Sequence, residues 1–142
     1  MTNYREPAYA LMRVTLGIIF LTTGTMKFLG GLGNFVGTMN QSFAGKLPAA
    51  MVMPFAYFIP FAEVTLGALI LFGLFTRGAL VVSGLLLMGL TFGVVILGDP
   101  PTVAHNLQYV LINFVLLWLS DLNGFSLDRL LGRAPRRVNN GN

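Results

Sequence analysis

Lys27, Glu63, His105 and Gln108 are the side chains of this sequence best placed to do chemistry. Glu63 stands near the start of FAEVTLGALILFGLFTRG, which has no other charge before Arg77. A charge inside hydrocarbon costs about 2.5–3.5 kcal/mol or more unless it is paired or wet. An ionisable residue in such a run therefore reads first as a ligand or proton site, with a structural ion pair as the plain alternative. A carboxylate there could relay protons, an ammonium could donate to a carbonyl oxygen, and an imidazole could donate and accept. Glu63, Lys27 and His105 form the candidate catalytic set, and Lys27, Glu63, His105 and Gln108 the candidate cofactor-binding set.

The solvent around these residues follows from composition. The 142 residues are 55% hydrophobic and 10% charged, with a mean hydropathy of +0.75, far more apolar than a soluble domain. The chain reads as one integral membrane domain contacting lipid. With no cysteine and one histidine, disulfides, thiolate metal sites, iron–sulfur ligation, covalent haem and bis-histidine haem within one chain are all excluded, and no metal is expected. The formal charge of +4 points to a basic membrane face rather than to nucleic acid, because the basic residues gather at the chain ends.

Four apolar segments approach the roughly 20 residues needed to cross a bilayer: about 8–29, 53–75, 79–97 and 103–120, with 126–142 as a cytoplasmic tail. No segment alternates strictly, which argues against a barrel. The expectation is an all-α, up-down-up-down four-helix bundle. Arg5, Arg77, Arg129, Arg133, Arg136 and Arg137 fall on one side of it, with Arg13 just inside, whereas Lys27, Lys46 and Asp99 fall on the other; both termini are expected to be cytoplasmic. The Gly-rich connection 30–48 is expected to lie on or dip into the membrane. GDPP, Gly98–Pro101, stops the third span and leaves Thr102 to cap the fourth.

Helix direction then pairs the charges. Side chains lean toward the helix N-terminus, so Glu63 on a descending span and Lys27 on an ascending one lean toward each other, with Glu63 roughly 12 Å from the outer boundary. Arg13 leans the opposite way and is expected to snorkel to the cytoplasmic surface, which makes Lys27 the favoured partner. With Thr102 as cap, His105 is the third helical residue, close to the exposed amides of the helix start, and Gln108 shares its face while Asn106 does not. An interfacial histidine meeting water is the alternative for His105.

Other residues have plainer roles. Thr22, Thr23 and Thr25 are expected to bond their own helix carbonyls, and Asn113 to bond a neighbouring helix. Pro54 and Pro60 either kink the second span or mark its start at Pro60. Gly84, Gly89 and Gly93 form a small-residue stripe suited to close packing within the bundle, or else to a homodimer face. Trp118 and Asp121 read as interface anchors, and the tail from Ser126, capped by Ser126, as a membrane-surface attachment with partner docking as the other reading.

Arg13, then Gly24-Thr25-Met26-Lys27, then Glu63 followed by Gly67, Leu71, Gly73-Leu74 and Thr76-Arg77, resembles the DoxX family over about residues 8–120. The resemblance implies a small bacterial or archaeal cell-membrane bundle linked to redox chemistry, with relatives serving as the membrane subunit of a thiosulfate:quinone oxidoreductase. A quinone fits the residues: Lys27 and His105 could donate to its carbonyls, and Glu63 could relay protons. The electrons must then come through another redox subunit, because the chain has no residues to hold a flavin, cluster or c-type haem. The other expectation is a non-catalytic anchor or small-solute carrier, and four short spans favour a homo-oligomer for the latter.

Overall fold

The computed structural model describes residues 4–133. The basic tail residues Arg136 and Arg137 lie outside the described residues. Five helices build the body: α1 Arg5–Leu29, α2 Leu32–Ser42, α3 Ala49–Phe72, α4 Thr76–Leu97 and α5 Pro100–Trp118. A 3-10 turn, Ser120–Leu122, and a single-turn helix α6, Leu127–Leu130, follow. Among the described residues the fold is all helical. α1, α3 and α4 are each long and apolar enough to cross a membrane.

α1 and α3 form the closest pair, and glycine is the reason. A Cβ on Gly17 would lie 2.6 Å from the Leu71 amide nitrogen, and one on Gly24 would lie 2.8 Å from Val64. Gly67 is closed in by Leu21 in the same way. The matched sequence Gly17–Leu71, Leu21–Gly67, Gly24–Val64 runs up one helix and down the other, so α1 and α3 are antiparallel and touch backbone to backbone. This register sets Lys27, one turn beyond Gly24, opposite Glu63. α3 passes unbroken through both Pro54 and Pro60, so neither proline marks its start.

The glycine stripe of α4 faces inward. Cβ atoms on Gly84, Gly89 and Gly93 would meet the Asn113 amide at 3.0 Å, the Phe55 ring at 3.1 Å and the Phe43 ring at 3.2 Å. Asn113 ties α5 to α4: its amide donates to the Leu80 carbonyl at 2.9 Å and its oxygen accepts from Ser83 at 2.7 Å. The core runs between these helices through Leu16, Phe20, Ile59, Leu66, Ile70, Leu80 and Leu116.

The 30–48 connection contains α2, which buries Val36 and packs Phe35 and Met39 against the core. Its glycines give it poor helix propensity, so this tertiary burial is what holds it. Lys46 donates to the carbonyls of Ile96 and Leu97 at 3.3 and 3.1 Å, fastening the connection to the end of α4.

Two expectations change at the opposite end. Arg13 does not snorkel to the surface: it is 3% exposed and donates to the carbonyls of Ile70 at 2.5 Å, Leu71 at 2.8 Å and Phe125 at 2.7 Å. The last carbonyls of an α-helix are left short of partners; that of Ile70 accepts only from the capping Gly73 amide, at 3.2 Å, and the guanidinium supplies the further donors. The segment from Ser126 is not merely laid on the membrane surface. Ser126 caps α6 as expected, but Asp128 is buried and accepts from the amides of Phe75 at 2.7 Å and Thr76 at 2.8 Å, and from the Thr76 hydroxyl at 2.9 Å. It caps the start of α4 after the turn in which Gly73 (φ 67°) and Phe75 (φ 48°) are left-handed. Arg77 pairs with Asp121, and Arg129 pairs with Glu6 at 3.3 Å, completing a belt of polar contacts under the bundle.

Candidate functional site

Lys27 lies in the last turn of α1 and Glu63 in the middle of α3. The antiparallel register brings them into contact: Lys27 Nζ donates to Glu63 Oε1 at 2.7 Å and to Oε2 at 2.5 Å. The Glu63 side chain is 6% exposed and that of Lys27 24%, so the carboxylate is enclosed while the ammonium reaches outward. α2 covers the pair, with the Phe35 ring 5.3 Å from Nζ, within cation–π range.

The pair opens onto a chamber of about 440 Å³ to which all five helices contribute. Phe20, Ile59, Leu87 and Leu90 give it apolar walls, and Lys27, Glu63, Thr23, His105, Asn106 and Tyr109 give it polar corners. His105 Nε2 and the Tyr109 hydroxyl are hydrogen-bonded at 2.9 Å, with the rings edge to face at 4.9 Å. Thr23 bonds back to the carbonyls of Ile19 and Phe20 at 2.9 and 3.1 Å, so its hydroxyl is occupied in the helix.

The start of α5 differs from the sequence expectation, and this changes its face. Asp99, not Thr102, is the N-cap: its side chain accepts from the Thr102 amide at 3.3 Å and from the Thr102 hydroxyl at 2.5 Å. Pro100 and Pro101 fill the first helical positions, where a missing amide costs nothing. His105 is therefore more than a full turn inside the helix. Relative to His105, Tyr109 is rotated by about 40°, Thr102 by about 60° and Asn106 by about 100° in one sense, whereas Gln108 is rotated by about 60° in the other. The chamber lies on the first side. Thr102, His105, Asn106 and Tyr109 line it, and Gln108 is exposed outside it. Thus three of the candidate residues, Lys27, Glu63 and His105, share one cavity and Gln108 does not join them. Asn106 and Tyr109 take its place.

A carboxylate–ammonium pair beside an imidazole–phenol pair can donate hydrogen bonds to carbonyl-type oxygens and pass protons, within walls that suit an apolar ring. Among the described residues no group of His, Asp and Glu is arranged to hold a metal ion.

Comparison with curated proteins and with solved structures gives no match. The family described as methylamine utilisation protein MauE matches residues 5–98, well over half of the chain and all of α1 to α4. This overturns the resemblance to DoxX. The residues that carried it have packing reasons: Gly24 and Gly67 admit the neighbouring helix, and Gly73 turns the chain left-handed. An antiparallel membrane hairpin with a short turn asks for such residues in any family. With the match running from the first residues of α1 to the end of α4, and so through both members of the Lys27–Glu63 pair, the chain belongs to the MauE family of membrane proteins.

Proposed function

We propose that the protein is a membrane accessory of methylamine utilisation that binds the head of a quinone in the Lys27–Glu63–His105 chamber. One observation carries the reading: a half-buried, doubly hydrogen-bonded ion pair and a histidine–tyrosine pair border the same 440 Å³ space, a volume within the roughly 300–1,000 Å³ of small-molecule sites. The chemistry of the lining fits such a ligand. Lys27 and Asn106 present donors for ring oxygens, and His105 with Tyr109 holds a proton that can be shared across a 2.9 Å hydrogen bond. Phe20, Ile59 and Leu87 offer the ring an apolar wall. A bound quinone would supply the electron-accepting chemistry, and the electrons would arrive through a partner redox subunit, since the cysteine-free sequence offers no thiolates for an iron–sulfur cluster or for covalent haem attachment.

In this reading α5 also crosses the bilayer beside α1, α3 and α4, giving four spans with both termini on the cytoplasmic side. Arg77, Arg129 and Arg133 gather at one end, and the two lysines Lys27 and Lys46, with the acidic Asp99, lie toward the other, which supports that orientation. The chamber then opens in the outer half of the membrane.

Extraction of the protein with its native lipid tests the proposal. Quinone should co-purify in near-stoichiometric amount and be lost from Glu63→Gln and His105→Ala; retention by Glu63→Gln at the native level would remove the site assignment. The second reading, a non-catalytic anchor or assembly subunit, is favoured by the direct clamp of α1 to α3 through both oxygens of Glu63. It predicts that no quinone co-purifies and that all charge variants act on stability alone.

A further inference from the structure

The chamber has an apolar neighbour that the head-site reading does not use. A groove of about 410 Å³ runs between α2, α3 and α4. Thr38 and Ser42 are its only hydroxyl-bearing lining residues, and the Ser42 hydroxyl donates to the Thr38 carbonyl at 2.9 Å. Gly89 and Gly93 form its floor, facing the rings of Phe55 and Phe43. The stripe of small residues thus leaves an apolar space beside close helix contacts. Lys46, bonded to the carbonyls at the end of α4, holds the turn that carries Phe43 over Gly93.

The groove and the chamber abut: Phe35, Met39, Leu90 and Val94 border both. Met39 stands at this border with the flexible side chain best able to move aside for a chain threading between them. One cavity has charged and polar corners, the other is apolar but for Thr38 and Ser42, and they meet along a shared wall. A single amphiphile fits that arrangement, with its head at the ion pair and its chain along the glycines.

We propose that the groove is the tail site of the ligand whose head occupies the chamber, so that the protein takes an isoprenoid-tailed quinone in preference to a tail-less one. The inference rests on the head-site reading. The occupant is the ligand's own chain rather than an acyl chain of a bilayer lipid, because the groove shares a wall with the polar chamber, which a phospholipid chain has no use for.

The test compares a benzoquinone without a side chain and the same ring carrying a short isoprenoid chain, both binding to the full-length protein in nanodiscs. Affinities are referred to the concentration of each probe in the lipid phase, so that simple partitioning cancels. Because a tail leaves lipid for a cavity no less apolar, its gain comes from packing alone, and about a tenfold preference for the tailed probe is expected. Gly93→Leu and Thr38→Trp should each abolish that preference while leaving affinity for the tail-less ring unchanged. Thr38 is exposed on α2, so its variant fills the groove without disturbing the core. Equal binding of both probes, unaffected by either variant, would overturn the tail site and leave the head site standing. Competition by added phospholipid against the tailed probe alone would overturn it in favour of a lipid chain. Binding of neither probe by the native protein would remove the head site and this inference with it.

Discussion

Replacing Lys27 by alanine should damage the protein more than replacing Glu63, although the two form one ion pair. In Lys27→Ala the Glu63 carboxylate, 6% exposed in the middle of α3, loses both of its donors. Stranding one member of a buried pair costs about 3–5 kcal/mol. In Glu63→Ala the ammonium that remains is 24% exposed and lies in the last turn of α1, where a cation is favoured by the helix terminus and its stem can carry it toward water. That loss should be nearer 1–3 kcal/mol, the cost of an unsatisfied polar group. The double variant Lys27→Ala/Glu63→Ala strands neither charge and should fall short of the summed losses by about 2–3 kcal/mol. Reversible unfolding in mixed micelles, followed by helical circular dichroism, measures all three. Two equal losses that add to within about 0.5 kcal/mol would refute the reasoning. The apolar pair Lys27→Met/Glu63→Leu extends the argument. It should recover most of the stability, since a well-packed hydrophobic pair can replace a buried ion pair, yet bind no quinone.

Further outcomes follow from the packing and the caps. Gly17→Ala places a methyl 2.6 Å from the Leu71 amide nitrogen and should cost about 1–3 kcal/mol in the same unfolding measurement, by forcing α1 from α3. Asp128→Ala removes three hydrogen bonds from the start of α4; a loss of about 1–3 kcal/mol, with faster proteolysis after residue 119 and unchanged quinone content, is expected. Gln108→Ala should leave quinone binding at the native level, whereas Asn106→Ala should weaken it, as equilibrium binding in nanodiscs would show.

The sequence revealed its features to different depths. Three of the apolar segments, now α1, α3 and α4, and the facing of Lys27 and Glu63 were legible, because hydrocarbon length and the lean of helical side chains are local rules that need no knowledge of the neighbours. α2 was not read as a helix: Gly33 and Gly37 weaken its propensity, and burial of Val36, with Phe35 and Met39 packed on the core, compensates only in the folded protein. Arg13 and the segment from Ser126, which carries Asp128, were misjudged for a common reason. Their partners are main-chain groups at Ile70, Leu71, Phe125, Phe75 and Thr76, and a backbone carbonyl or amide carries no signature in the sequence. A basic residue near a helix start and an acid in a basic tail look like surface residues until the chain ends fold together. The choice of Gln108 over Asn106 failed on rotation. Both lie near His105 on α5, and only the position of the other helices decides which side borders the cavity. The resemblance to DoxX failed because it weighted glycines and a turn that serve helix packing.

The central claim, a quinone head held against Lys27, Glu63 and His105, is tested most directly by covalent capture. A photoreactive quinone, activated in native membranes and mapped by peptide mass spectrometry, should label residues bordering the chamber, above all Thr102, His105, Asn106 and Tyr109 on α5, and excess unmodified quinone should suppress that labelling. Label confined to outward-facing residues such as Leu85, Phe114 and Trp118, with no competition, would contradict it.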